Sequence, residues 1–326
     1  MSLNVEMFQF LYKEEVYCGN NFKLVQHLKE SWDELHTKSN VFRYRLGKLK
    51  EKVVGNLYIL QLNHDRSIKR RQPEEMRDVR QPFDKNKFNF TKISDEEMLF
   101  KFWEKNKVSD EHTVLVNVSP INQYHSLLCP SMYDMLPQVV TLESLQLVLD
   151  MYTMAGDRDL RIAFNSLCAL ASVNHLHYHL MIERNTLPVE TVECKHIKGP
   201  IWMTENYPAP AFCFDASSNN AAENIYKLVS YLLNKSIAHN IFITRGCSLN
   251  GSSGEITRVL IWPRKSTAGA KQLSAFNVAA LEFSGFFAVY STEDYENLEI
   301  KDLERELIKW KLDNFDQLCN EIEVLF

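Results

Sequence analysis

Apolar and polar positions along the 326-residue chain change period several times, and each change predicts an element. FNFTKI (88–93), EMLFKFW (97–103) and HTVLVNVS (112–119) are rich in aromatic and β-branched residues with partial alternation, which predicts strands. TLESLQLVLDMY (141–152) switches to helical spacing, with Leu142, Leu145, Leu149 and Tyr152 on one stripe. RIAFNSLCAL (161–170) is apolar and leads into SVNHLHYHLMIE (172–183), which alternates with period two. NAAENIYKLVSYLLNKSIAH (220–239) predicts an amphipathic helix, with Asn220 and Glu223 at capping-box spacing. NIFITRG and EITRVLIWPRK predict a hairpin across the loop Gly246–Gly254, which lacks the Gly-Lys-Ser/Thr element of a P-loop. The last 27 residues (300–326) read as one charged amphipathic helix.

Strands and helices alternate loosely, which predicts an α+β fold in two related halves. The expected divisions are an N-terminal extension over 1–40 with a helix near FKLVQHLKESWDELH, a first half over 41–190, and a second half over 191–326. Arg66–Arg77 (RSIKRRQPEEMR) reads as a solvated loop, with a basic patch for a phosphate-bearing ligand as the alternative.

Composition narrows the function classes. The chain is 45% hydrophobic and 24% charged, as expected of a well-cored protein, and its net charge of −5 argues against one built to coat nucleic acid. No apolar run is long enough to span a membrane, and acidic residues interrupt the N-terminal stretch too early for a signal peptide. Seven scattered cysteines without a Cys-x-x-Cys pair predict reduced thiols and a cytoplasmic location.

The histidine segment carries the candidate chemistry. Period two puts Val173, His175, His177, His179 and Met181 on one face, and Asn174, Leu176, Tyr178, Leu180 and Ile182 on the other. The outer imidazoles then stand roughly 13 Å apart at their Cβ atoms. One reading is a strand with histidines on its wet side. A second is a metal site, in which two imidazoles at i and i+2 share an ion with a carboxylate such as Glu183. A third is covalent catalysis on phosphorus, since a neutral imidazole is a good nucleophile near pH 7 and its neighbours donate to phosphoryl oxygens.

His175-Leu-His177-Tyr-His179-Leu-Met resembles the signature of the histidine triad superfamily, and LVNVSPINQYHSLLCP (115–130) resembles its nucleotide-binding strand pair. By that resemblance, Asn117 hydrogen-bonds a ribose, His125 lies near the triad, and Ser172 contacts an α-phosphate. RYRLGKLKEKVVG, RQPFDKNKFNFTKI, FNSLCALASVNHLHYH, IAHNIFITRG and AFNVAALEFSGFFAV resemble segments of the GDP-D-glucose phosphorylases, animal relatives of the plant GDP-L-galactose phosphorylases. The resemblance implies two histidine-triad-like (galactose-1-phosphate uridylyltransferase-like) halves with antiparallel sheets and packed helices, the first alone carrying the triad.

It also implies phosphorolysis of GDP-glucose by inorganic phosphate, through a guanylyl group on His177. Ser172 and Asn174 are then candidate donors to the non-bridging oxygens, His179 donates to the departing phosphate, His175 orients the array and contacts His177, and Asn165 lies near the phosphates. No metal or cofactor is required, and a homodimer is left open. Asp84 and Asn89 are candidates for reading guanine, Phe88 and Phe90 for flanking it, and Arg70, Arg71 and Lys92 for meeting the sugar phosphate. Two departures stand out: Gly285-Phe286 occupies the place of a Gly-His pair, and His179 occupies a place where transferases of the superfamily often carry Gln. The rival functions are a histidine-triad nucleotide hydrolase acting on a GDP-sugar or related nucleotide, and a non-catalytic nucleotide-binding protein.

Overall fold

Alternation of apolar side chains builds one long sheet whose two faces are buried against different layers. The computed structural model describes residues 8–326 except 39, 72–73, 106, 108–109 and 269–274. The chain begins with β1 (Phe8–Tyr12), β2 (Glu15–Cys18) and α1 (Leu24–Lys38), followed by β3 (Lys50–Val54), β4 (Tyr58–Leu62) and α2 (His64–Lys69). Next come β5 (Met98–Glu104), β6 (His112–Val116), β7 (Ser126–Cys129), α3 (Leu142–Ala155), β8 (Leu160–Asn165) and β9 (Tyr178–Ile182). The second half contains α4 (Pro188–Thr191), β10 (Cys194–Lys198), β11 (Ile201–Thr204), β12 (Phe212–Asp215), α5 (Ala221–Asn234), β13 (Ala238–Cys247) and β14 (Glu255–Arg264). It closes with α6 (Ala280–Phe283), β15 (Phe286–Val289), α7 (Thr292–Asn297), α8 (Ile300–Lys309) and α9 (Phe315–Leu325).

Twelve strands form a single antiparallel sheet in the order β10-β11-β12-β14-β13-β8-β9-β7-β6-β5-β1-β2. The halves join at its middle, where β8 pairs with β13 and Asn165 stands opposite Asn240. Ile162 and Phe164 turn to one face with α1, α3, α5 and α9, while Ala163 turns to the other. That second face is covered in the second half by a three-stranded sheet, β15-β4-β3, and by Leu303 and Leu307 of α8. In the first half the same face is left open as a cleft. No helix among the described residues is long and apolar enough to cross a membrane.

Several expectations change. Residues 8–38 of the stretch read as an extension supply two strands and a helix to the main layer, with Phe10, Leu28 and Trp32 buried. The 190/191 division falls within α4, and β4 of the first half pairs in parallel with β15 of the second. FNFTKI is a turn, Phe90–Lys92, because Asn89 caps it and its aromatics face a cavity and not a neighbouring strand. The C-terminal segment is two helices, α8 and α9, whose apolar residues enter different layers: Leu303 and Leu307 pack on one face of the main sheet, Phe315, Leu318 and Ile322 on the other. Asn220 precedes α5 in a left-handed conformation and makes no side-chain cap, so the expected capping box is absent.

Phe286 is fully buried in β15, opposite Ile59 of β4, and lies outside the cleft. A histidine at this place would be a buried imidazole inside an apolar layer. Gly285 before it has φ +102°, and a Cβ there would lie 2.5 Å from Pro188. Gly285→Ala is therefore expected to cost about 2–3 kcal/mol from backbone strain and the clash. Urea denaturation would register this, and a loss below about 0.5 kcal/mol would show that the α4–β15 junction yields easily.

Candidate active site

The cleft lies on the open face of the first half, is partly open to solvent, and brings together Asn117, Asn165, Ser172, His177 and His179. His179 belongs to β9, between Leu127 of β7 and Ala163 of β8. His175 and His177 precede the strand. Continuing the β7–β9 register would set Leu176 opposite Pro130, which has no N–H to offer, so the ladder stops at Tyr178.

Gln138 takes the place of the lost strand partner. Its Oε1 accepts from His177 N at 2.8 Å, and its Nε2 donates to His177 O and Asn165 O, each at 3.0 Å. Nothing in the LPQVV pattern around Gln138 marks it; only the closure of the chain assigns its role.

Each imidazole has a different task. Nδ1 of His177 lies 2.7 Å from the carbonyl oxygen of His175, so Nδ1 carries the proton and Nε2 carries the lone pair. His177 is buried and lines the cleft. His175 accepts at Nδ1 from Phe90 N and donates from Nε2 to Met132 O, both at 3.0 Å. It is fully buried, and burial lowers its pKa to about 4. His175 thus staples two turns together with its ring, and its expected contact with His177 is made by its carbonyl.

His125 accepts at Nδ1 from Ile121 N at 2.9 Å, which leaves the proton on Nε2, 2.9 Å from Nδ1 of His179. His179 then accepts at Nδ1 and carries its proton on Nε2. Burial, then Arg66 and His177, hold the His125 pKa well below the ordinary range, which keeps the His125 ring neutral. Asn117 Nδ2 sits 3.2 Å from the same His125 nitrogen, and its Oδ1 accepts from Ser119 N.

The two alternative readings of the histidine face do not fit. His175 and His177 are buried, so this is not a wet face. Both ring nitrogens of His175 are already engaged, Glu183 Oε1 accepts from Asn185, and no group of three His, Cys, Asp or Glu side chains among the described residues is arranged to hold a metal ion.

Other candidates separate. Asn165 Oδ1 accepts from Asn240 Nδ2 at 2.7 Å and from Ala280 N at 3.0 Å, which leaves its amide N–H groups as donors at the cleft wall. Asn240 is itself held by the buried Arg264 of β14, so the second half orients a residue of the first. Asn174 does not line the cleft. Its side chain donates to Gln81 O and Pro82 O and accepts from Gln138 N, anchoring the segment that carries Phe88 and Phe90. Asn89 is consumed in its own turn, Asp84 is exposed and caps Asn86 N, and Lys92 is exposed and donates to Lys87 O.

The basic segment is not a solvated loop over its whole length, and its first arginines follow the basic-patch alternative. Arg66, Arg70 and Arg71 line the cleft, because α2 and its C-terminal turn lie along its rim. Arg66 donates to Ser119 O. Arg70 donates to the Tyr290 hydroxyl at 3.1 Å, which also accepts from Asn277 Nδ2. Tyr290, Asn277 and Glu97 also line the cleft and went unnoticed in sequence, where no local pattern distinguishes them. No residue of the Gly246–Gly254 loop lines it.

Two matched family models span residues 23–181 ("GDPGP1-like, N-terminal domain") and 184–322 ("GDPGP1-like, C-terminal domain"). The chain belongs to the GDPGP1-like family. Among GDPGP1-like relatives, it is 37% identical over 281 residues to GDP-D-glucose phosphorylase 1 of Danio rerio, covering 83% of this chain and 81% of that protein. It is 33% identical to GDP-D-glucose phosphorylase 1 of Homo sapiens (83% and 75% covered), and 31% identical to GDP-L-galactose phosphorylase 2 of Arabidopsis thaliana (81% and 67% covered). Yeast Ap4A phosphorylase Apa2 in complex with Ap4A shares the fold of this GDPGP1-like chain, with a TM-score of 0.61 at 14% identity, covering 90% of this chain and 97% of that one. The resemblance read from the triad segment and the α+β fold class therefore hold.

Two measurements test the site's architecture. Gln138→Ala would leave a buried amide and two buried carbonyls unpaired at His177 and Asn165, with an expected loss of about 3 kcal/mol in chemical denaturation. A loss near zero would mean the clamp is not formed. Burial also lowers His112, His175 and His239 to about 4. Below pH 6.5 the unfolded chain takes up protons that the folded protein refuses until about pH 4. Stability is then full above pH 6.5 and falls toward pH 4, by about 1.4 kcal/mol per pH unit for each such imidazole. Urea midpoints that stay flat between pH 7 and 4.5 would contradict this burial.

Proposed function

We propose that this chain converts GDP-D-glucose and inorganic phosphate to glucose 1-phosphate and GDP by two displacements at the α-phosphorus. The observation that carries the proposal is the His177 Nδ1–His175 carbonyl bond, which leaves Nε2 as the nucleophilic nitrogen at the cleft wall. Nε2 of His177 attacks the α-phosphorus, and the bond from that phosphorus to the bridging oxygen breaks. Glucose 1-phosphate leaves with the oxygen, and a guanylyl group remains on His177. Inorganic phosphate attacks the same phosphorus, releases His177, and departs as the β-phosphate of GDP. Splitting one transfer into two lets a single nitrogen serve as nucleophile and then as leaving group.

The His175 carbonyl accepts from Nδ1–H throughout and offsets the positive charge that develops on the guanylated ring. The Nε2–H of His179, set by His125, is the donor to the departing oxygen. A phosphate leaving group has a low pKa, so no strong acid is needed. In this reading Asn165 and Ser172 supply donors for the non-bridging oxygens and Asn117 bonds the ribose, supported by the presence of all three along the cleft. Arg66 and Arg70, with Tyr290, form a basic end of the cleft suited to the hexose phosphate and to the phosphate that replaces it. A cytoplasmic location belongs to the same reading, supported by the seven unpaired cysteines. The reading admits a homodimer, which sedimentation velocity decides.

The hydrolase alternative rests on His179 and substitutes water for phosphate. Product analysis with GDP-glucose, with and without phosphate, separates the two. GDP and glucose 1-phosphate are expected only when phosphate is present. His177→Ala is expected to lose about 10⁴-fold or more in kcat/KM, and without phosphate the wild-type protein should accumulate a guanylylated form absent from this variant. GMP released at the same rate without phosphate would mean a hydrolase.

A further inference from the structure

One end of the cleft is apolar. Phe90, Leu115, Leu127 and Val173 pack together there, with Phe88 and Ile93 at the edge, which is the surface a nucleobase needs for its faces. Two charged side chains interrupt that surface. Glu97 lines the cleft just before β5, where Met98 pairs with Leu115 of β6. Arg71 lies over the Phe88 ring, 3.1 Å from its centre.

Glu97 is held but not used up. Its Oε1 accepts from Ser94 N at 3.3 Å as part of a capping box, and its other oxygen has no hydrogen bond among the described residues. Arg71 and Arg43 act on its charge without closing to an ion pair among those residues. Burial raises the Glu97 pKa, and the Ser94 hydrogen bond and these two guanidiniums oppose that rise.

We propose that Glu97, with Arg71 beside it, reads the guanine base. The carboxylate accepts from guanine N1–H and the 2-amino group, and the guanidinium donates toward O6 and N7. Adenine opposes the pair at both places. It offers a lone pair at N1 to the carboxylate, no 2-amino group, and a 6-amino donor where O6 would accept from arginine. A site built around these charges therefore selects by leaving groups unpaired with the wrong base, which discriminates more strongly than an apolar pocket does.

The inference rests on the proposed use of a guanine nucleotide, and equilibrium binding tests it without turnover. The affinities of the full chain for GDP, IDP and ADP would be measured by titration calorimetry for wild type, Glu97→Gln and Ser94→Ala. Wild type is expected to prefer GDP over ADP by about 100-fold or more and over IDP, which lacks the 2-amino group, by about tenfold. Glu97→Gln should reduce the GDP/ADP ratio by at least about 30-fold with an unchanged thermal midpoint. Ser94→Ala, which loses the cap and keeps the carboxylate, should retain the wild-type ratio within about threefold.

A Glu97→Gln protein that keeps the full GDP/ADP ratio would overturn the assignment. So would a Ser94→Ala protein that loses the ratio as severely, since the role would then be the turn. If GDP is preferred and Glu97 governs that preference while no phosphorolysis occurs, the assignment stands and the proposed reaction falls. A wild-type protein indifferent to the base would remove both.

Discussion

The proton on Nδ1 of His177 is the constraint on which the site depends. A neutral imidazole has one basic nitrogen, and the His175 carbonyl decides which one it is. The bond is between residues two apart in sequence, yet it forms only because the backbone of 175–177 is kept out of regular strand geometry. Gln138 takes over the pairing that β7 would have supplied, and the ring of His175 ties the same stretch to the turns at Phe90 and Met132. All of these groups are buried, so each hydrogen bond is costly to leave unmade, and the arrangement is held cooperatively.

The two halves contribute unequally to this centre and are not separable from it. The sheet is continuous through β8 and β13, and Asn165 sits at that junction with Asn240 and Ala280 of the second half on its carbonyl oxygen. The second half carries no histidine cluster among the described residues, but it lines the cleft with Tyr290 and Asn277 and fixes the donor face of Asn165. Phe286 shows the other outcome: it belongs to an apolar layer between β4 and the main sheet and takes no part in the cleft.

The main strands and helices were legible because their periodicity is local. The α3 stripe, the α5 helix and the β13–β14 hairpin follow from spacing alone, and so does the assignment of His179 and Met181 to one face and Tyr178, Leu180 and Ile182 to the other. The errors share a cause. Phe88 and Phe90 have strand-like composition, but no strand lies beside them to complete a ladder. The arginines of 66–71 look like solvated charge, because nothing in a charge run records which of its residues α2 will turn inward. Asn174 matched a phosphate donor by position, yet the chain folds residues 81–82 against it and uses its amide there.

By itself the sequence determined the candidate site's residue types: three imidazoles at alternate positions, a serine before them, and a chain class that keeps them in a well-cored α+β protein. Tertiary structure alone decided what each imidazole does. The protonation site of a histidine is set by whichever acceptor or donor its ring meets. His175 meets Phe90 and Met132, His177 meets a carbonyl, and His179 meets His125. Those partners come from residues up to 85 positions away, and no spacing rule within the motif specifies them.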